Sequence, residues 1–197
     1  KQANCGIALG SGSDATKHAA DIILLNNDFD SVPSIVLEGR RVINNITKAS
    51  SIFLVKTIFS VILGILTIFT GLSYPFEPVQ LTVISGFMVG IPTFLLAYEA
   101  NFQPINEHYF TTVMSYSLPG ALSISVEIVL LELVGKWLMI PEAQIVTIMV
   151  IVTGLNYLLT LIKVYAPLNP YRSIIIFGLQ ILYYLVVFNF QKLLGLQ

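Results

Sequence analysis

Residues 31–70 read SVPSIVLEGRRVINNITKASSIFLVKTIFSVILGILTIFT, and the fold turns on how this stretch divides. Its first half mixes polar and apolar residues and carries Glu38, Arg40, Arg41 and Lys48. Its second half, from Ser50 on, is almost wholly apolar and holds a single charge, Lys56. No proline follows Pro33, which falls in the first turn behind a candidate Ser31 cap, where a helix accepts it. A continuous helix would be roughly 60 Å long at about 1.5 Å per residue, about twice the apolar thickness of a bilayer. The expectation is one rod, half in water and half in lipid. Residues 1–30 would then be the end of a soluble unit, 31–49 a stalk and 50–197 a membrane unit.

Composition agrees with that division. Hydrophobic residues make up 55% of the chain and charged residues 11%, against about 25% charged in soluble domains. A net charge of −1 leaves no broad basic face, which excludes a nucleic-acid binder of that kind. The one cysteine, Cys5, cannot form an internal disulfide, and no CxxC or Cys/His cluster suggests zinc. Cys5 reads as a small buried residue of a reducing compartment. The start, KQANCGIALG, lacks the basic-then-apolar layout of a signal peptide and reads as if cut from the middle of a domain.

Residues 1–30 alternate in α/β manner. Residues 6–9 and 21–25 read as short buried strands around a helix at 15–20, capped by Ser13 or Asp14. Gly10-Ser11-Gly12-Ser13-Asp14 makes the tight turn between them. Such a turn before a helix can cradle an anion through backbone N–H groups, or can simply need small residues. Thirty residues are too few for an independent core, so this is expected to be the last βαβ piece of a larger domain.

Four more apolar blocks follow the rod, at 78–98, 118–135, 145–162 and 173–188. Each is near the roughly 20 residues that a crossing needs. With the rod they predict five crossings, at about 50–70, 78–98, 116–135, 143–163 and 172–190, in a polytopic helical bundle. No block alternates with period two, which excludes a β-barrel. Arg40, Arg41 and Lys48 put the N-terminal end on the cytoplasmic side. Five crossings then set Lys163 and Arg172 inside, and Lys136 and Lys192 outside.

The block PVQLTVISGFMVGIPTFLLAYEAN, 78–101, holds Gly86, Gly90 and Pro92 at its middle. Pro92 has no N–H to give, so carbonyls near Met88 and Val89 lose partners. Broken membrane helices of this sort supply ion ligands at mid-depth. A plain proline kink with glycines for close packing accounts for the same residues.

Together these residues resemble a known family. GIALGSGSDATKHAADIILLNNDFDSV (6–32), EGRRVINNITKAS (38–50) and the long membrane helix are similar to P-type ATPases. They match the end of the phosphorylation domain, of Rossmann-like haloacid-dehalogenase type, and its run into the fifth membrane helix. FLVKTIFS (53–60) and GIPTFLLAYEAN (90–101) look most like the bacterial cation-transporting ATPase E group, which is linked to calcium transport. The resemblance implies a pump that couples ATP hydrolysis to movement of calcium or another divalent cation across the bacterial plasma membrane. It places ATP and Mg2+ in upstream domains of the same pump. The family's DKTGT and GDGVND motifs are absent here, so the chain by itself is expected to be inactive.

The family binds cations between its fourth, fifth, sixth and eighth membrane helices. Aligned on Pro78-Val79-Gln80-Leu81, its sixth-helix ligand positions fall on Ser85, Met88, Val89, Gly90 and Pro92. The break is kept, but side-chain ligands mostly are not, so at most one ion is expected there. Lys56, with Ser60 beside it on the rod, is either a counter-charge in the transport path or a lysine snorkelling to the interface. Glu127 is near mid-span and needs a partner; Glu132 points to another face. Asn156 is either a cation ligand or an interhelical hydrogen bond. Glu99 and Glu107 read as a solvated acidic loop, and His18 and His108 as surface residues. Two other functions fit the residues less fully. One is a lipid-flipping pump of the same superfamily using Lys56; the other is a passive channel or assembly module.

Overall fold

The computed structural model describes residues 3–71, 73–105 and 108–196. The chain begins with β1 (Ile7–Leu9), α1 (Asp14–Ala19) and β2 (Ile22–Leu24). The two strands pair in parallel, with Ala8 opposite Ile23. Ser13 caps α1 by accepting from the Thr16 N–H at 3.3 Å. Only Ala8 and Leu24 of the strands are buried, while Ile7, Leu9 and Ile23 stand exposed. The expectation of two buried strands is therefore corrected: a two-stranded ribbon with one helix covers just the inward residue of each strand. Cys5 is likewise exposed rather than buried, because no described element lies over it.

A 3-10 turn (Phe29–Ser31) leads into α2 (Val32–Thr70), an unbroken helix of 39 residues. The expected Ser31 cap does not form. The Ser31 hydroxyl donates instead to the Asp28 carbonyl at 2.7 Å, and Asp28 caps the 3-10 turn through the Asp30 N–H. No side chain from Val32 to Asn44 is buried. Burial starts at Asn45 and continues through Ser51, Ile52, Val55, Phe59 and Leu63, the spacing of one helix face. The helix stops at Gly71, whose φ of 69° only glycine adopts freely, with its N–H on the Thr67 carbonyl.

The chain then returns through α3 (Pro78–Ile84), a π-helical segment (Ser85–Gly90) and α4 (Ile91–Leu96). The remaining helices are α5 (Tyr109–Trp137), α6 (Glu142–Val164) and α7 (Pro170–Asn189). Among the described residues, five helical spans are long and apolar enough to cross a membrane. The α5 helix starts well before the expected boundary near residue 116 and runs through Pro119. Its first turns, YFTTVMS, mix hydroxyl residues with Phe110, Val113 and Met114 and so do not read as part of a continuous apolar block.

The α2 helix packs along α5 and α6, and α7 closes over α6 and the π segment. Ile52, Val55, Phe59, Ile84, Ile124, Tyr157 and Tyr183 are among the fully buried side chains. Glycines set the closest approaches: a Cβ on Gly154 would lie 2.4 Å from the Tyr183 ring, and one on Gly135 2.3 Å from Ile145. Small residues at such crossings let membrane helices associate through packing.

Candidate functional site

The second span is interrupted where its sequence demands it. Pro92 cannot donate to the carbonyl four residues back. Over Ser85–Gly90 the helix widens to the π pattern, and the Ile91 N–H donates to the Gly86 carbonyl five residues earlier. Thr93, which sequence reasoning passed over, repairs part of the break. Its hydroxyl lies 2.6 Å from the Val89 carbonyl oxygen and 2.9 Å from that of Gly90. Ser85 donates its hydroxyl to the Leu81 carbonyl, so only its lone pairs remain for a ligand. Met88, Val89 and Pro92 are buried, and Ser85 and Gly90 are half-buried.

Around this segment the other expected residues divide. Glu127 and Asn156 come together: the Asn156 amide nitrogen donates to a Glu127 carboxylate oxygen, joining α5 to α6. Lys56 is half-buried on α2 and, among the described residues, has no hydrogen-bond or ion-pair partner. The acids of α5 are engaged elsewhere: Glu127 bonds Asn156, and Glu132 pairs with Lys136 at 2.8 Å. Ser60, half-buried a turn further on, makes no hydrogen bond either. Tyr157, next to Asn156, was not anticipated. It is fully buried, edge-on to Phe59 of α2, and its phenol oxygen has no partner.

The stalk-side end of the bundle is held by polar contacts that the sequence did not announce. Asn45 of α2 donates its amide to the Ala97 carbonyl at 2.7 Å and the Glu99 carbonyl at 2.9 Å. Asn44 does the same for Asn101 at 3.2 Å and Gln103 at 2.9 Å. Glu99 is not the solvated acid that was expected. The Arg172 Nε stands 2.9 and 2.8 Å from its two oxygens, and Asn169 donates to it at 2.9 Å. Both side chains of this ion pair are nearly covered, 13% exposed for Glu99 and 12% for Arg172. The correction has a simple cause: a carboxylate at the close of α4 meets the first turn of α7, where Arg172 also grips the carbonyls of Tyr165 and Pro167. Burial pushes the Tyr165 phenol above its usual range, with Glu99 adding to the rise and Arg172 opposing it. Lys48 lies 5.1 Å from the centre of the Tyr165 ring. Glu107 lies outside the described residues. His18 and His108 are exposed, as expected.

The glycine turn does not offer a free anion cradle. The Gly10 N–H donates to Leu24, the Gly12 N–H to Leu9 and the Ser11 N–H to the Asn27 side chain. Gly10 is needed because a Cβ there would sit 2.5 Å from the Leu25 carbonyl. Asp14 is an exposed first-turn residue, 4.0 Å from Lys17. Among the described residues no group of three His, Cys, Asp or Glu could hold a metal ion.

Comparison with known proteins supplies the class. No family model matches the chain. Probable cation-transporting ATPase exp7 of Streptococcus pneumoniae is 33% identical over 184 residues, covering 89% of this chain and 24% of that protein. Calcium-transporting ATPase CtpE of Mycolicibacterium smegmatis is 40% identical over 132 residues, 62% of this chain and 17% of its own length. Potassium-transporting ATPase alpha chain 2 of Oryctolagus cuniculus is 39% identical over 100 residues, 50% of this chain and 9% of its own. The homologues of this chain are cation-transporting P-type ATPases, and it matches a fragment of them. It spans about a quarter or less of the length of these relatives.

Proposed function

We propose that the chain is the C-terminal membrane portion of a P-type pump that moves a cation, calcium or another divalent ion, across a bacterial plasma membrane. Its N-terminal end faces the cytoplasm. ATP and Mg2+ belong to domains of the same pump outside this chain, and residues 1–30 are the end of its phosphorylation domain. One relationship carries the reading. A single 39-residue helix leaves the βαβ piece and grips the end of the broken span through Asn45. Displacement of the stalk is passed to Ala97 and Glu99, and so to the π segment that Pro92 terminates. The cation would be held beside Ser85 and the carbonyls of Met88, Val89 and Gly90, with Lys56, Ser60, Glu127 and Asn156 bordering the path. A segment with few side-chain oxygens suits one partly hydrated ion better than a carboxylate cage.

The test is a panel of mono- and divalent cations on the ATPase activity and vesicle uptake of the full-length pump. Stimulation by calcium, with calcium uptake, is the expected result. A second reading has its own support in Lys56 of α2, which has no partner among the described residues, and in a π segment on the next span that carries no acid. It is a lipid-flipping pump of the same superfamily. Stimulation by a phospholipid and by no cation would select it.

A further inference from the structure

The end of the bundle away from the stalk holds two cavities that share a wall. One, about 210 Å3, is apolar and lies between the last turns of α2, at Leu63 and Leu66, and α5, at Ile128 and Leu133. The other, about 270 Å3, is bordered by Lys136 and Glu142. Ser73, Pro75 and Glu132 line both, so an apolar slot opens into a charged mouth across Glu132.

Trp137 sets the depth of this groove. It closes α5 directly after Lys136 and is 80% exposed, with Leu138 and Met139 exposed beside it. An exposed tryptophan at the end of a membrane helix marks the headgroup level. Glu132 is then about 8 Å below that level along α5, and Ile128 about 6 Å deeper. The mouth lies where headgroups are, and the slot lies where acyl chains are.

Charge selects among headgroups. Glu132 and Glu142 carry two negative charges and Lys136 one positive. Glu132 and Lys136 are paired at 2.8 Å, while Glu142 stands exposed on the first turn of α6. A head bearing an ammonium and a phosphate can satisfy all three, the ammonium on the two carboxylates and the phosphate on Lys136. A phosphoglycerol head has no ammonium to offer and meets a net negative mouth. We propose that the groove holds one phospholipid with a phosphoethanolamine head, from the leaflet opposite the stalk, with an acyl chain in the apolar slot. This rests on the helices crossing a membrane and is independent of which ion is moved.

The intact protein is reconstituted in vesicles containing phosphatidylethanolamine or phosphatidylglycerol with one photoactivatable acyl chain, and adducts are mapped by peptide mass spectrometry. Exposed Ile181 and Leu185 on α7 report general lipid contact. Relative to those, the ethanolamine lipid should label residues 63–70 and 128–133 about fivefold more than the glycerol lipid, the scale of one surface charge on a headgroup. Combined Glu132→Gln and Glu142→Gln should erase that preference, and Leu66→Trp, which fills the slot, should lower labelling by both lipids. Equal labelling by the two heads means annular lipid only and overturns the proposal. So does cross-linking of the groove to another protein segment in place of lipid, and so does undiminished groove labelling in Leu66→Trp that keeps the α7 reference pattern.

Discussion

The side-chain amide of Asn45 donates to the carbonyl of Ala97 at 2.7 Å, tying the middle of a 39-residue helix to the last turn of a span 52 residues further on. Neither partner has another obvious reason to meet. The bond ties the broken span directly to α2.

Asn45→Leu should expose that tie. It leaves two carbonyls without donors, at about 1–3 kcal/mol where they are shielded from water. Phosphoenzyme formation by the full-length pump should persist while cation uptake per ATP falls. Unchanged coupling would remove the tie from the mechanism.

Glu99 and Arg172 should behave as a covered ion pair. Removing one partner, as in Arg172→Met, leaves a nearly buried carboxylate and is expected to cost about 3 kcal/mol. The double change Glu99→Gln with Arg172→Met should recover part of that loss. Thermal unfolding in detergent across the four proteins of the cycle measures the coupling, and simple additivity would show the two charges to be independent.

Two glycine replacements offer a contrast within one bundle. Gly154→Ala drives a methyl against Tyr183, 2.4 Å from its ring, while Gly178 has nothing within 4 Å. The first should destabilise by about 1–3 kcal/mol. The second should be neutral or stabilising by up to about 1 kcal/mol, since alanine is the better helix former. Melting temperatures of the two variants, compared with the parent, decide it.

Lys56→Ala removes a positive charge that has no partner among the described residues, beside the proposed path. Loss of a like charge should tighten cation binding, lowering the concentration for half-maximal ATPase stimulation roughly tenfold, equivalent to about 1.4 kcal/mol. An unaltered cation dependence would make Lys56 a snorkelling residue.

The long-range architecture was legible because hydropathy and proline placement are local signals. The rod, the five spans and the break at Gly90-Ile91-Pro92 all follow from runs of adjacent residues. The start of α5 was not legible, since over Tyr109 to Ser115 hydroxyl side chains break up the apolar Phe110, Val113 and Met114. The stalk-end contacts were not legible for a different reason. Glu99 and Arg172 lie 73 residues apart, and only the packing of α4 against α7 makes an acid in a loop into half of a covered pair. Asn44 and Asn45 look like ordinary polar stalk residues until the carbonyls they reach are in place. Glu127 and Asn156 were each singled out, but that each is the other's partner depends on how α5 and α6 are set against one another.

Asn44 and Asn45 are neighbours on α2, so their side chains leave the axis about 100° apart. They hold different points of the same loop, Gln103 and Asn101 on one hand, Ala97 and Glu99 on the other. A slide of the helix along its length carries both hands together and the loop goes with them. A spin about its axis swings one hand in and the other out, so a grip parts before the loop can turn. The joint therefore passes on translation and filters out rotation.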